Sequence, residues 1–266
     1  MNTDAPFDLI AEQYDDTFSE SRLGHWLREA VWTHLDAAFQ PGDHVLELAC
    51  GTGEDAVHLA QRGVQVTATD ASEGMLAVAR RKVQQEDLGS RVNLRHFDMN
   101  GPEALPLDHD LQPFDGVFSN FGGLNCVDDL PALARKLARC TRPDASVVLV
   151  VMGPYCPWEW GWYLLHGRPR TAFRRLRSRV EAHVGAGRTL SVYYPSPARL
   201  AQAFHPGFRP VQTFGIGALL PPSYGSGLVD RHPAFFARLR TLEQRLHGRR
   251  PFTALNDHYL ILLERR

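Results

Sequence analysis

Apolar positions along this chain switch repeatedly between a helical and a strand rhythm, and the switches mark its elements. Leu23, Leu27, Val31 and Leu35 recur every four residues, with Trp26 and Ala30 beside them. That stripe predicts an amphipathic helix, and residues 7–39 read as two helices. Pro41-Gly42 then breaks the chain. Four of the five residues at 45–49 are apolar, which predicts a buried strand, and 54–62 is helix-compatible. A second strand over 64–72 ends in Asp70. A third, within 95–100, ends in Asp98. Strand four is expected at 114–119, a loop at 120–125, and a helix at about 128–140 with Pro131 tolerated in its first turn. A turn at 141–145 precedes strand five at 146–152. Strands alternating with helices predict a doubly wound α/β domain whose mostly parallel sheet is covered on both faces.

After Met152 the rhythm gives way to GPYCPWEWGWYLLHGRPR, dense in aromatics and proline. Segments 179–183 and 188–193 flank Val184-Gly185-Ala186-Gly187 and read as a β-hairpin. Residues 153–194 therefore read as an insertion over the mouth of the sheet. A helix at about 196–204, a strand near 211–214, a loop at 215–227, a helix at about 233–247 and a last strand at 259–263 complete the pattern. The resulting division is 1–40, 41–152, 153–194 and 195–266: N-terminal helices, core, cap and completion of the sheet.

Composition narrows this little. At 266 residues the chain suits one large domain with an inserted cap, and 44% hydrophobic content is ample for a core. A net charge of −1 supplies no global basic field for nucleic acid. No apolar run approaches the roughly 20 residues that span a bilayer. The N-terminus shows no signal-peptide core. Cys50, Cys126, Cys140 and Cys156 form no C-x-x-C pair or metal spacing, which fits reduced thiols in a cytoplasmic protein.

The chemistry concentrates between strand one and its helix. Cys50-Gly51-Thr52-Gly53 makes a tight turn where a ligand can lie against bare backbone. Amides opening the next helix face the same space. Glu47, inside the strand, would repel a phosphate but suit an ammonium group. Asp70 is placed for a ribose diol. Asp98 could accept from an adenine amino group while Phe97 and Met99 stack on the ring.

Glu47, the run Ala49-Cys50-Gly51-Thr52-Gly53, Asp70 and Asp98 resemble, in order, the pattern of the class I S-adenosylmethionine-dependent methyltransferases. The likeness is to the small-molecule branch around the ubiquinone and menaquinone methyltransferases. It covers about residues 7–152 well and the C-terminal third in outline. Ala49 stands where that pattern has its first glycine. The resemblance implies a Rossmann-like sheet of seven strands, methyl transfer from S-adenosylmethionine, and cofactor contacts at Tyr14, Glu47, Ala49, Gly51, Gly53, Asp70, Ala71, Met75, Phe97, Asp98, Met99, Ser119 and Asn120. Tyr14, in AEQYDD, matches an N-terminal tyrosine-aspartate of the quinone enzymes. A nicotinamide dehydrogenase is the competing reading: its looser fingerprint tolerates Ala56 in the third glycine's place, but Glu47 and Asp98 argue against it.

The acceptor is expected outside the carboxyl ends of the strands. The resemblance implies an antiparallel last strand, so Asn256, Asp257 and His258 begin it on the functional side. His258 is the leading general base and Asp257 a second candidate, with Asp257 expected too near in sequence to orient the same ring. Phe121, Tyr155, Trp158, Trp160, Trp162, His166 and Tyr224 are candidates to wall a pocket for a small aromatic or acidic acceptor. Six arginines fall in 168–179. On a helix, Phe173, Leu176 and Val180 share one face. Arg168, Arg175 and Arg179 then lie opposite, in solvent, while Arg170, Arg174 and Arg177 flank the stripe and could clamp a carboxylate or phosphate. A solvated helix face is the plainer reading of the run, which is short for a membrane-surface element. An RNA or protein methyltransferase would want a basic cleft or an N-P-P-Y-type motif, where this chain reads Ser119-Asn120-Phe121-Gly122. A non-catalytic cofactor-binding subunit is the remaining alternative, and a monomer or homodimer is expected.

Overall fold

The computed structural model describes residues 7–101, 113–183 and 189–266. The core strands are β1 (His44–Leu48), β2 (Gln65–Asp70), β3 (Val92–His96), β4 (Phe114–Ser119) and β5 (Thr141–Met152). They are followed by a small hairpin, β6 (Val180–His183) with β7 (Thr189–Val192), and by β8 (Phe208–Ile216) and β9 (His258–Arg265). Seven strands form one sheet in the order β3-β2-β1-β4-β5-β9-β8. β1 pairs in parallel with both β2 and β4, so the strand order reverses between β1 and β4 and opens a crevice at their carboxyl ends. β9 runs antiparallel between β5 and β8, with Met152 opposite His258 and Ile216 also opposite His258. The start of β9 therefore lies level with the carboxyl ends of β5 and β8, as expected.

Both sheet faces are covered. Helices Arg22–Ala38, Glu54–Gln61 and Glu73–Gln85 pack Leu27, Val31, Leu59 and Leu76 into one core. Helices Leu130–Cys140 and Pro197–Phe204 pack Leu133, Leu137, Leu200 and Phe204 into the other. All four cysteines are free.

Several expected boundaries move for physical reasons. The first N-terminal helix is a composite: 3-10 turn Asp8–Ile10, α-turn Ala11–Tyr14 and π-turn Asp15–Ser19. The second begins where Ser21 Oγ accepts the Gly24 amide at 3.0 Å. The turn expected at 141–145 is an irregularity within β5, where Asp144 takes φ of 63° and the register against β4 jumps. β8 is longer than its apolar pattern because Pro210 sits beside a register shift on an edge strand, where its missing N–H is tolerated. Loop 215–227 contains a 3-10 turn, Ser223–Gly225, and begins helix Ser226–Arg231. The hairpin forms as predicted, while its turn residues 184–187 lie outside the described residues.

The arginine run is not a helix. Gly167 takes φ of 68°, helix Pro169–Ala172 is one turn long, and a 3-10 turn Arg174–Leu176 leads directly into extended chain. The expected faces therefore do not exist.

Candidate functional site

Beyond β1 the chain turns sharply: Ala49, Gly51 and Gly53 take φ of 54°, 55° and 80°. A side chain is costly in this left-handed region, and Ala49 bears that cost. Its methyl occupies the space a Cβ on Gly123 would need, 2.4 Å away. At Gly51 a Cβ would meet nothing within 4 Å, so the loop presents bare backbone to open space. The loop is pinned by Asp70, whose Oδ2 accepts the Gly51 amide and whose Oδ1 accepts the Ser72 amide, both at 2.8 Å. Burial pushes the Asp70 carboxyl up, and these amides partly offset it. Asp8 anchors the next turn by accepting from Ser72 Oγ at 2.6 Å and the Gly74 amide at 2.9 Å. Ser72 Oγ in turn caps buried Met75, and His96 Nε2 lies 3.1 Å from the Ala71 carbonyl.

Glu47 is 1% exposed, and its Oε2 has no hydrogen-bond partner. Burial raises its pKa well above the carboxylate range, Asp55 adds to this, and Arg28 opposes it. Asp98 lies two residues past β3, in the turn that follows, and its Oδ1 accepts the Asn100 amide at 2.9 Å. The apolar residues before it end the strand early because Phe97 drops into the core, where the Lys136 ammonium sits 5.8 Å from its ring centroid. Met99 is half-buried and packs on the same core.

Two of the expected contacts are engaged elsewhere through their side chains. Ser119 Oγ donates to the Leu48 carbonyl at 2.9 Å, tying β4 to β1. Asn120 Nδ2 donates to Asp55 Oδ2 at 2.9 Å, and its Oδ1 accepts the Phe121 amide. Asp55 collects three donors: Asn120, Arg28 at 2.8 Å and Trp32 Nε1 at 2.7 Å. Burial raises the phenol of Tyr14, Arg28 opposes the shift, and Asp55, Asp15 and Asp70 add to it, which sets Tyr14 among these groups. Asp15 accepts from Thr52 Oγ1 at 2.6 Å and Lys82 at 2.8 Å, and Lys82 also pairs with Glu54. The N-terminal turns are thus bolted onto the glycine loop.

On the other side, Phe121 takes φ of 43°, an uncommon backbone for a bulky residue. Its ring meets His258 edge-on at 5.4 Å, and the Arg28 guanidinium lies 5.3 Å from its centroid. His258 Nδ1 stands 3.1 Å from Asp257 Oδ2, without a hydrogen bond. The two neighbours in sequence come close here without the hydrogen bond that would orient the ring.

Half of the arginine expectations are reversed: Arg168 and Arg179 are exposed and Arg174 turns inward as expected, but Arg170, Arg175 and Arg177 do not follow. Arg175, expected in solvent, is 4% exposed: it donates to Glu159 Oε2 and Asp257 Oδ1 at 2.7 Å and to the Asp257 carbonyl at 2.9 Å. Asp257 is held well below the usual carboxylate range by His258 and Arg175 against its burial. Arg174 is occupied by Glu159 at 2.7 Å, while Arg170 and Arg177 point to solvent. Phe173 and Leu176, expected inside, are exposed.

Of the expected pocket residues, Trp158 and Trp162 line an apolar cleft of about 430 Å³ with Pro157, Leu165, Ala218 and Leu228. Tyr224 stacks on Trp162 and Tyr163 at 5.9 and 5.6 Å. Tyr155 and Trp160 meet each other at 6.5 Å, and Trp160 turns to Phe173, away from the cleft. His166 is exposed, its Nδ1 2.7 Å from the Trp162 carbonyl. A smaller hollow beside His44, Thr67 and Arg91 lies at the amino ends of β1 and β2, far from this chemistry.

A family model described as a methyltransferase domain matches residues 45–144. The chain is 36% identical over 145 residues to the demethylmenaquinone methyltransferase of Clavibacter sepedonicus, an alignment covering 54% of this chain and 56% of that protein. With the demethylmenaquinone methyltransferase of Mycobacterium marinum it shares 33% identity over 203 residues, 74% of this chain and 80% of the relative. The chain belongs to the class I S-adenosylmethionine-dependent methyltransferases, in their quinone branch. The crystal structure of an S-adenosylmethionine dependent methyltransferase from Mesorhizobium loti shares the fold, with a TM-score of 0.55 at 18% identity over 89% of this chain and 98% of that one.

The cofactor of this methyltransferase is S-adenosylmethionine, and the chain's own residues fit it. An unpartnered, buried carboxylate oxygen at Glu47 suits an ammonium group. Asp70 spends one hydrogen bond on each oxygen and keeps lone pairs for a diol. Sequence reading missed Arg28, Asp55, Asp8, Lys82 and Glu159, took Asp15 only as part of the tyrosine-aspartate motif, and placed Arg175 in solvent. Asp55 alone carried a local signal, an acid in the first turn of the helix after the glycine loop.

Proposed function

We propose that this methyltransferase acts on a flat, largely apolar hydroxyaromatic small molecule of the quinol type, held in the tryptophan-lined cleft. The observation that carries the reading is the cleft itself, built from Trp158, Trp162, Leu165, Ala218 and Leu228 with no charged wall among the described residues. An acidic acceptor loses support, because Arg174 and Arg175 are already neutralised by Glu159 and Asp257. Two relatives are named for demethylmenaquinone, which belongs to the favoured class.

When bound, S-adenosylmethionine supplies a methyl carbon activated by its sulfonium. Glu47, Asp70, the Gly51 backbone, the Phe97–Met99 segment and Tyr14 would hold the cofactor. Residues 153–194 cover the acceptor. His258 takes the acceptor's hydroxyl proton at Nε2, while ionised Asp257 stabilises the charge that gathers on the ring. Phe121 fixes that ring by edge contact. Alignment and exclusion of water supply the rest.

The test is turnover with labelled cofactor against a panel of short-chain naphthohydroquinones, benzoates and amines, read by mass spectrometry. Methylated hydroquinone is the expected product. Transfer confined to amines or carboxylates sinks the acceptor assignment.

A further inference from the structure

Helix Pro157–Leu165 is built inside-out. Its one charged residue, Glu159, is 0% exposed, whereas Leu164 and Leu165 are 48% and 87% exposed. At 100° per residue, Gly161, Leu164 and Leu165 fall on the arc opposite Glu159, so the outward face is apolar. The neighbouring turn extends it. Arg174 and Arg175 go inward to Glu159, which leaves Phe173 and Leu176 outside, 42% and 53% exposed. Phe173 packs on Trp160, one helical turn from Leu164, so the two patches adjoin.

Within residues 153–180 the exposed charge has one sign, and the next acid, Glu181, is paired with Arg179. Glu159 is the single acid in residues 153–180, and it is buried. Arg168, Arg170 and Arg177 are exposed and pair with no acid among the described residues. Exposed leucines and a phenylalanine ringed by uncompensated arginines match the boundary of an anionic bilayer, where apolar tips enter and guanidinium groups meet phosphates. Leu165 belongs both to this face and to the wall of the cleft, so the cleft opens on the same side.

We propose that the outer face of the cap, Leu164, Leu165, Phe173 and Leu176 with Arg168, Arg170 and Arg177, is a docking surface for an anionic lipid bilayer. Its corollary, that an apolar acceptor enters the cleft from the lipid, rests on the function proposed above. The docking itself does not.

The test uses the full chain and vesicles containing no acceptor. With vesicles of phosphatidylcholine and about a third phosphatidylglycerol, the protein should co-sediment, and should release at about 0.5 M salt as the charges are screened. Arg168→Gln, Arg170→Gln and Arg177→Gln should each weaken partitioning about fivefold, and together roughly a hundredfold. Leu164→Glu with Leu176→Glu should abolish it while leaving the melting temperature and cofactor affinity of the parent. No sedimentation at low salt, or variants that sediment like the parent, overturns the proposal. So does a concentration-dependent dimer that Leu164→Glu dissolves without any vesicle binding, since the face would then serve a second copy. Turnover of a soluble acceptor, measured separately, reports on the proposed function alone.

Discussion

Replacing Arg175 by methionine keeps most of its volume and removes one buried charge. Glu159 and Asp257 are nearly fully buried on either side of it. Removing one member of a buried pair costs about 3–5 kcal/mol, because the remaining charge is left unpaired in a poor solvent. Glu159 retains Arg174 at 2.7 Å and Asp257 retains His258 at 3.1 Å, so neither acid is left wholly unpaired and the lower figure of about 3 kcal/mol applies. For a chain of this size that is a fall of roughly 6–12 °C in melting temperature.

The pH dependence supplies a sharper check. In the parent, Asp257 is held below the carboxylate range, so its contribution is present above the unfolded pKa of about 3.9 and fades only as pH falls through the lower folded value. Without Arg175, His258 alone is left to oppose the burial, and the folded pKa moves up. A group with a raised folded pKa loses stability as pH rises through it. The gap between Arg175→Met and parent should therefore be narrow at about pH 5 and wide at about pH 8, and Asp257→Asn in the same chain should recover part of it at the higher pH. Urea denaturation at both pH values measures this. A gap that is the same at both, or below about 1 kcal/mol at the higher, refutes the reasoning.

Glu47→Gln removes the charge that burial opposes: without cofactor the variant should be at least as stable as the parent above about pH 6, while calorimetry shows cofactor affinity falling by about 1.5–3 kcal/mol, the strength of a charged hydrogen bond. His258→Ala should cut turnover about 10²–10⁴-fold with cofactor affinity unchanged, and its pH–rate profile should lose the acidic limb; normal turnover would leave catalysis to alignment alone. Gly123→Ala places two methyl groups 2.4 Å apart and should cost about 1–3 kcal/mol. Adding Ala49→Gly should restore most of that loss in thermal melts, and an uncorrected double variant would show that something other than this contact excludes a side chain at Gly123.

The legible parts of this protein are those whose cause is local. Alternating periods placed the core strands, and acids at 47 and 70 fell where a short-range pattern puts them, because a strand ending at a glycine loop is encoded within about a dozen residues. The arginine run was misread because its fate is decided elsewhere. Gly167 and Pro169 stop the helix that periodicity suggested, and one of the two acids that take Arg175 lies 82 positions away. Asp55 could be seen as an acid at a helix start, but not as the meeting point of Arg28, Trp32 and Asn120, which come from another helix and another strand end. Ala49 shows the same limit in miniature. A methyl at a left-handed turn is a local departure, and the space for it comes from Gly123, beyond the end of β4.

These long-range contacts also join the two halves of the site. Asp55 holds Arg28 and Asn120; Asn120 accepts the Phe121 amide; Arg28 lies over the Phe121 ring. That ring meets His258, which stands against Asp257, and Asp257 is gripped by Arg175 from the cap. The route runs from the helix beside the glycine loop to the segment after β5, and every step is a buried or half-buried contact. Phe121 is its narrowest point. Its unfavourable backbone, costing on the order of 1–3 kcal/mol, is sustained by the Asn120 side chain and by aromatic and cationic neighbours on both sides. An ordinary extended residue there would turn its ring away from His258 and leave the proposed base without its lateral support. Strain at this one position thus sits where the contacts reaching out from the glycine loop meet those at the start of β9.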